Sequence, residues 1–166
     1  QLCLMTAQIA NGGYKIYPKI VLKKYDQDLK EDKFQPLVKN SKNIKIVQEA
    51  MFSSTNEVRG TSYRSRIDDP KYQFAGKTGT AQVKRITKQD RELDLKTLEI
   101  PYEERDHALY VAYGPYRDPR YAVSILVEHG GSGSSVAAPI AKKLFKKIID
   151  RHQIRKDFNS KKYLDI

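Results

Sequence analysis

The chain has 166 residues, a formal net charge of +11 at pH 7 and a single cysteine. This length suits one domain or part of a larger one. The lone cysteine excludes an internal disulfide and any metal site built from several cysteines. No run approaches the ~20 apolar residues that cross a bilayer. A hydrophobic fraction of 39%, which includes 11 Tyr and 5 Phe, is still enough to build a core.

The first part of the chain predicts a helix, a strand and a second helix. Residues 1–11 carry apolar side chains at helical spacing and stop at Gly12. This helix begins on the first residue without a cap, so we expect the parent chain to continue upstream. Residues 16–25 alternate and predict a strand. Residues 43–58 predict a helix that Asn43 caps.

The second part predicts strands followed by a terminal helix. Residues 72–83 read as a strand with glycines in it, and residues 84–105 as a charged surface excursion. Residues 107–114 and 120–128 predict an antiparallel hairpin. Residues 135–150 predict an amphipathic helix. Strands covered by helices in this way indicate an α+β fold, a partial antiparallel sheet flanked by helices.

Two apolar rows lie side by side on the terminal helix. One row contains Val136, Ile140, Leu144 and Ile148, and the other contains Ala137, Ala141, Phe145 and Ile149. The lysines at 142, 143, 146 and 147 are expected to face away from both rows. We therefore expect a domain portion at 1–150 and a basic C-terminal tail at 151–166, frayed at its end.

The sharpest chemical signal is the run Lys77-Thr78-Gly79-Thr80 on the glycine-bearing strand. A lysine ammonium at the rim of a cleft attracts a carboxylate, and two threonine hydroxyls can donate hydrogen bonds to it. Gly79 has no side chain, so a peptide could lie along this strand and pair with its backbone. The backbone N–H of Thr80 could then face a developing oxyanion.

The sequence around this run resembles the class B penicillin-binding proteins. Residues 74–83 (FAGKTGTAQV) resemble their KTG strand, and residues 105–116 (RDHALYVAYGPY) resemble the strand that follows it. Residues 5–13 (MTAQIANGG) and 127–131 (VEHGG) also match family segments in order. The insert at 84–105 most resembles the elongation-type members, the penicillin-binding protein 2 group.

This resemblance implies the C-terminal part of the transpeptidase fold shared with serine β-lactamases. It implies a serine D-Ala-D-Ala transpeptidase that cross-links peptidoglycan stem peptides and is acylated by β-lactams. Lys77 would serve the catalytic site, while Thr78, Gly79 and Thr80 would bind the substrate. No metal or organic cofactor is implied. The parent protein would sit on the periplasmic face of the bacterial inner membrane, with membrane proteins of the elongation complex as partners.

Two other family motifs are missing from the chain. None of the serines has a lysine three residues later, so the S-x-x-K nucleophile motif is absent. The S-x-N motif has two decoys, at 41–43 and 54–56, and both lie after the helix that should follow it. We therefore expect the 166-residue piece to be inactive alone, because covalent catalysis needs the nucleophile and its base within hydrogen-bond reach.

Other functions stay open on the sequence alone. The same fold serves β-lactamases, carboxypeptidases and β-lactam sensors, and the piece by itself fits a non-enzymatic basic binding module. A nucleic-acid-binding domain is disfavoured, because the positive charge is spread along the chain and a solvated surface explains it. His107, His129 and His152 lack ligand-like spacing, so a metal site is not expected.

Overall fold

A computed structural model gives the architecture of the protein. It describes residues 1–18, 35–85 and 96–152 in full, and the backbone of 23–24, 27–28 and 153–162. The helices and strands are α1 (Leu2–Ala10), β1 (Lys23–Lys24), β2 (Gln27–Asp28), α2 (Ser41–Asn56), β3 (Ala75–Ala81), β4 (His107–Gly114), β5 (Tyr121–Val127) and α3 (Ala138–Lys162). A π-helical turn, Gly133–Ala137, leads directly into α3.

The main sheet has the strand order β3-β4-β5 and is antiparallel throughout. Thr78 pairs with Tyr110, and Tyr110 pairs in turn with Ile125. The hairpin predicted from residues 107–114 and 120–128 is therefore confirmed. Because β4 is central, β3 lies at one edge of the described sheet.

Helix α3 covers one face of the sheet and forms the larger core. Phe145 is fully buried and stacks on Phe74, with ring centroids 4.9 Å apart. Phe74 meets the ring of Tyr110 edge-on at 6.4 Å, a geometry that aromatic pairs prefer. Other buried members of this core are Ala108, Ala112, Ile125, Ala137, Ala138, Ala141 and Ile149.

Helices α1 and α2 cover the opposite face, α1 over β4 and β5 and α2 over β3. Met51 of α2, Ala75 of β3 and Tyr113 of β4 are buried together. Ile9 of α1 packs against them from the side. The result is a three-layer arrangement with helices on both faces, which confirms the predicted α+β class.

The sequence periodicity predicted α3, but it did not show which of the two apolar rows of the helix is buried. Ala137, Ala141, Phe145 and Ile149 face the sheet and are buried, whereas Ile140 and Leu144 are 39% and 38% exposed. The small side chains of Ala137 and Ala141 allow the start of the helix to approach the sheet, and Phe145 fills the space farther along. Lys142, Lys143, Lys146 and Lys147 are exposed, as expected. The helix also continues to Lys162 rather than ending at residue 150.

The predicted cap of α2 is wrong by one turn. The helix starts at Ser41, and its N-cap is Asn40 in extended conformation. The side-chain oxygen of Asn40 accepts a hydrogen bond from the N–H of Lys42 at 3.0 Å. Asn43 lies inside the helix and is exposed. Both asparagines suit a cap, and the chain uses the earlier one.

The strand predicted at 16–25 is not regular where the structure describes it. Residues 16–18 are not in a strand, and only Lys23–Lys24 pairs, with Gln27–Asp28. Residues 19–22 and residue 25 lie outside the described part. The excursion predicted at 84–105 is exposed over most of its described residues, and 86–95 also lie outside. In the described part of the chain, we find no helix with the length and hydropathy of a membrane span.

Candidate functional site

The outer edge of β3 is divided into a closed half and an open half. Side chains from the last turn of α2 close its first half. Asn56 donates its side-chain amide to the carbonyl oxygen of Phe74 at 3.0 Å, and Thr55 donates its hydroxyl to that of Gly76 at 3.4 Å. Among the described strands, only β4 pairs with β3, so no strand covers the rest of this edge.

These contacts fix which backbone groups of β3 face outward. The N–H and C=O of one residue point to the same side of a strand, and successive residues alternate. Since the carbonyls of Phe74 and Gly76 face α2, those of Thr78 and Thr80 face the open half of the edge. The N–H of Thr80 therefore points outward, where an extended peptide could pair with it.

The side chains of Lys77 and Thr78 meet at the open half. The Nζ of Lys77 donates to the Oγ1 of Thr78 at 3.1 Å and to the Thr78 carbonyl at 3.0 Å. Lys77 and Thr80 are exposed, and Thr78 is half-buried. One cation, two hydroxyls and an outward N–H thus lie within a few residues, a donor set suited to a carboxylate or an oxyanion.

The two glycines of β3 have different reasons to be glycine. A Cβ at Gly76 would overlap the phenol of Tyr110, so the fold itself requires glycine there. A Cβ at Gly79 would lie 3.3 Å from the Cβ of Leu109 and would need only a small adjustment. Neither glycine has a positive φ. Neither backbone conformation nor a severe clash therefore demands glycine at position 79.

A cluster of buried hydroxyl groups packs against β3. The phenol oxygen of Tyr110 lies 2.9 Å from the Oγ1 of Thr55 and 3.1 Å from the Oγ of Ser62. All three residues are nearly inaccessible to solvent. Burial raises the pKa of Tyr110, while its two hydroxyl partners oppose that shift. The cluster links α2, the loop after it and β4. Because Thr55 also donates to the carbonyl of Gly76, the cluster ties β3 to these elements.

Sequence reasoning missed one residue of this region, Thr61. Its Oγ1 lies 3.3 Å from the Oγ1 of Thr78 and 3.1 Å from the Oγ of Ser54. The residue is exposed and lies 17 positions before Thr78. No local motif marks it, because its position depends on the loop that folds back over the end of α2.

Two of the histidines lie at the far end of β3, where His107 pairs with Ala81. His107 and His129 are ring neighbours, with centroids 4.8 Å apart, and the N–H of His129 donates to the Nδ1 of His107. His152 bonds the phenol of Tyr121 at 2.6 Å. These contacts tie the ends of strands and of α3 together, which is a structural role. Within the described residues, no group of three or more metal-ligating side chains is assembled.

Comparison with known families decides the assignment. Residues 1–146 match the model of the penicillin-binding protein transpeptidase domain. The chain belongs to the penicillin-binding protein transpeptidase family. Over 105 residues it is 36% identical to peptidoglycan D,D-transpeptidase MrdA of Salmonella typhimurium, an alignment that covers 63% of this chain and 16% of MrdA. MrdA of Acinetobacter baumannii is 32% identical over 155 residues, 84% of this chain and 21% of that protein.

Solved structures of penicillin-binding proteins share the fold. The structure of Pseudomonas aeruginosa PBP2 in complex with WCK 5153 aligns with a TM-score of 0.67 and 31% identity, over 87% of this chain and 29% of that one. The complex of PBP2 and MreC from Helicobacter pylori aligns with a TM-score of 0.64 and 28% identity, over 87% and 23%. The resemblance to the penicillin-binding protein 2 group is thus confirmed.

The chain spans only about a fifth of the length of these curated relatives, 16% and 21% for the two MrdA proteins above. It matches one part of a transpeptidase domain. The activity, substrates and partners of a whole penicillin-binding protein are therefore considered separately below.

Proposed function

We propose that this chain is the part of a serine D,D-transpeptidase that binds the carboxylate end of a peptidoglycan stem peptide. The observation that carries the proposal is the open half of the β3 edge, where the ammonium of Lys77 lies 3.1 Å from the hydroxyl of Thr78. In a member of the penicillin-binding protein family, the open half of the β3 edge is suited to bind an extended peptide that ends in D-Ala-D-Ala.

Each group of the edge has a task in this proposal. Lys77 attracts the terminal carboxylate, and the hydroxyls of Thr78 and Thr80 donate hydrogen bonds to it. The outward N–H of Thr80 supports the oxyanion that forms when the peptide carbonyl becomes tetrahedral. Gly79 lets the backbone of the peptide lie close against the strand. β-Lactams bind the same edge because their carboxylate and amide resemble the dipeptide.

The nucleophile comes from outside these 166 residues, since no serine here carries the lysine that would serve as its base. Its hydroxyl attacks the carbonyl of the penultimate D-alanine, so a serine ester forms, the peptide bond breaks and D-alanine leaves with the proton. The amine of a second stem peptide then attacks the ester, which forms the cross-link and restores the serine hydroxyl.

The names of the relatives extend the proposal to location and partners. MrdA proteins are named as peptidoglycan transpeptidases, and the Helicobacter pylori PBP2 was solved with MreC. We place the complete protein on the periplasmic face of the inner membrane, in contact with membrane proteins of the elongation complex. The division into a domain portion at 1–150 and a tail at 151–166 remains part of this proposal.

Labelling with a fluorescent penicillin tests the function. The complete protein that carries this chain should give a covalent band on a denaturing gel, blocked by unlabelled benzylpenicillin. It should also release D-alanine from a D-Ala-D-Ala peptide when an acceptor amine is present. The isolated 166-residue chain should give no band. Failure of the complete protein to label overturns the proposal, and rapid loss of the label through hydrolysis would favour a β-lactamase instead.

A further inference from the structure

We propose that Thr61 is a positioning residue that orients the hydroxyl of Thr78 toward the substrate carboxylate. The inference rests on the proposed function of the β3 edge. Its basis is a row of hydroxyls that runs from α2 to the edge. Ser54 lies 3.1 Å from Thr61, and Thr61 lies 3.3 Å from Thr78.

The loop before β3 holds Thr61 in place from both sides. Ser62 donates both its backbone N–H and its hydroxyl to the carbonyl of Ser54, each at 3.0 Å. On the other side, Gly60 lies so close to the same carbonyl that a Cβ there would overlap it. The backbone of Thr61 is thus held by its two neighbours, and its hydroxyl lies 3.3 Å from that of Thr78.

The direction of the hydrogen bonds follows from the chemistry of lysine. An ammonium only donates, so Thr78 accepts from Lys77 through one lone pair of its Oγ1. When Thr61 also donates to Thr78, both lone pairs of Thr78 are occupied and its own hydrogen is directed outward. In that state Ser54 donates to Thr61, Thr61 to Thr78, and Thr78 to the bound carboxylate. Such chains strengthen each member by polarisation.

Thr61 is well suited to this role and poorly suited to a role in stability. It is exposed, whereas its neighbour Ser62 and the nearby Thr55 are buried and carry the contacts to Tyr110. Removing the Thr61 hydroxyl therefore leaves the buried cluster intact. What it removes is the second donor to Thr78.

A set of variants in the complete protein tests the role. Thr61→Val should lower the second-order rate of acylation by benzylpenicillin about threefold to tenfold, the worth of one hydrogen bond. Thr61→Ser should restore it. Thr61→Val should have no further effect in a Thr78→Val background. The matched control is Ser53→Ala, which removes a neighbouring α2 hydroxyl that bonds Glu57 instead, and it should acylate like the wild type.

A second probe separates orientation from stability. The methyl ester of benzylpenicillin lacks the carboxylate, so its acylation rate should be the same in the wild type and in Thr61→Val. Equal loss with both probes, additivity with Thr78→Val, or a wild-type rate with benzylpenicillin in Thr61→Val would each overturn the positioning role. If the wild type itself is not acylated, the proposed function fails, and the role of Thr61 fails with it.

Discussion

The phenol of Tyr110 occupies the space into which a side chain at Gly76 would project. The two glycines of β3 therefore differ. A side chain at Gly76 would overlap Tyr110, whereas a Cβ at Gly79 would meet only the Cβ of Leu109, at 3.3 Å. We expect Gly76 to matter for the stability of the fold and Gly79 to matter for ligand binding.

Replacing the two glycines in turn tests that separation. Gly76→Ala should destabilise the protein by about 1–3 kcal/mol, because the added methyl displaces the phenol of Tyr110 from its two hydroxyl partners. Gly79→Ala should change the free energy of unfolding by less than about 1 kcal/mol, yet slow acylation of the complete protein. Urea denaturation measures the first effect and penicillin labelling the second. The reverse ranking in the unfolding experiment would contradict this reading of β3.

A second prediction concerns Tyr113, whose hydroxyl is buried without a hydrogen-bond partner among the described residues. Burial, with a smaller contribution from Tyr116, raises the pKa of Tyr113 above its ordinary value. Above about pH 10 the unfolded chain releases the phenol proton while the folded chain keeps it. Unfolding then releases a proton, so rising pH lowers the stability.

Tyr113→Phe should reduce the alkaline loss, and the buried phenol of Tyr110, whose pKa burial also raises, accounts for part of what remains. Near neutral pH the variant should be as stable as the wild type or more stable by about 1 kcal/mol, because an unpaired buried hydroxyl is costly. Urea denaturation at pH 8 and pH 11 measures both effects. Tyr102→Phe, at an exposed tyrosine, is the matched control and should follow the wild type. A Tyr113→Phe variant with the same alkaline loss as the wild type would show that Tyr113 does not cause it.

A third prediction tests the start of α2. Asn40→Ala removes the side-chain oxygen that accepts from Lys42, and it should cost about 1 kcal/mol. Asn43→Ala replaces an exposed residue inside the helix with a better helix former, and it should be neutral or slightly stabilising. Thermal unfolding of the two variants compares them directly. A larger loss for Asn43→Ala would place the cap where the sequence alone suggested it.

Periodicity and turn composition were sufficient to predict the helices, β3 and the hairpin, because these depend on neighbouring residues. The cap of α2 was not predictable in the same way, since Asn40 and Asn43 are equally good caps by residue type. On α3, the rows containing Leu144 and Phe145 are equally apolar. Periodicity therefore does not separate them, and the folded structure shows that the row of Phe145, which stacks on Phe74, is the buried one.

The candidate site likewise combines a local motif, which the sequence could predict, with long-range contacts, which it could not. Lys77 through Thr80 form one local motif and could be read from the sequence, although their roles remain proposals. The contacts that shape their edge join residues 17 to 55 positions apart, as in the pairs of Thr61 with Thr78 and Thr55 with Tyr110. Such hydroxyl contacts carry no periodic signal, so only the folded chain reveals them.

The acylation rate of the Lys77→Ala variant tests the central claim most directly. In the complete protein, this change should slow labelling by fluorescent penicillin at least ~10²-fold, as the loss of a positioned electrostatic group does. Lys142→Ala, which removes an exposed ammonium from α3, should label like the wild type. Labelling of Lys77→Ala at the rate of Lys142→Ala would remove the β3 edge from the site and contradict the account.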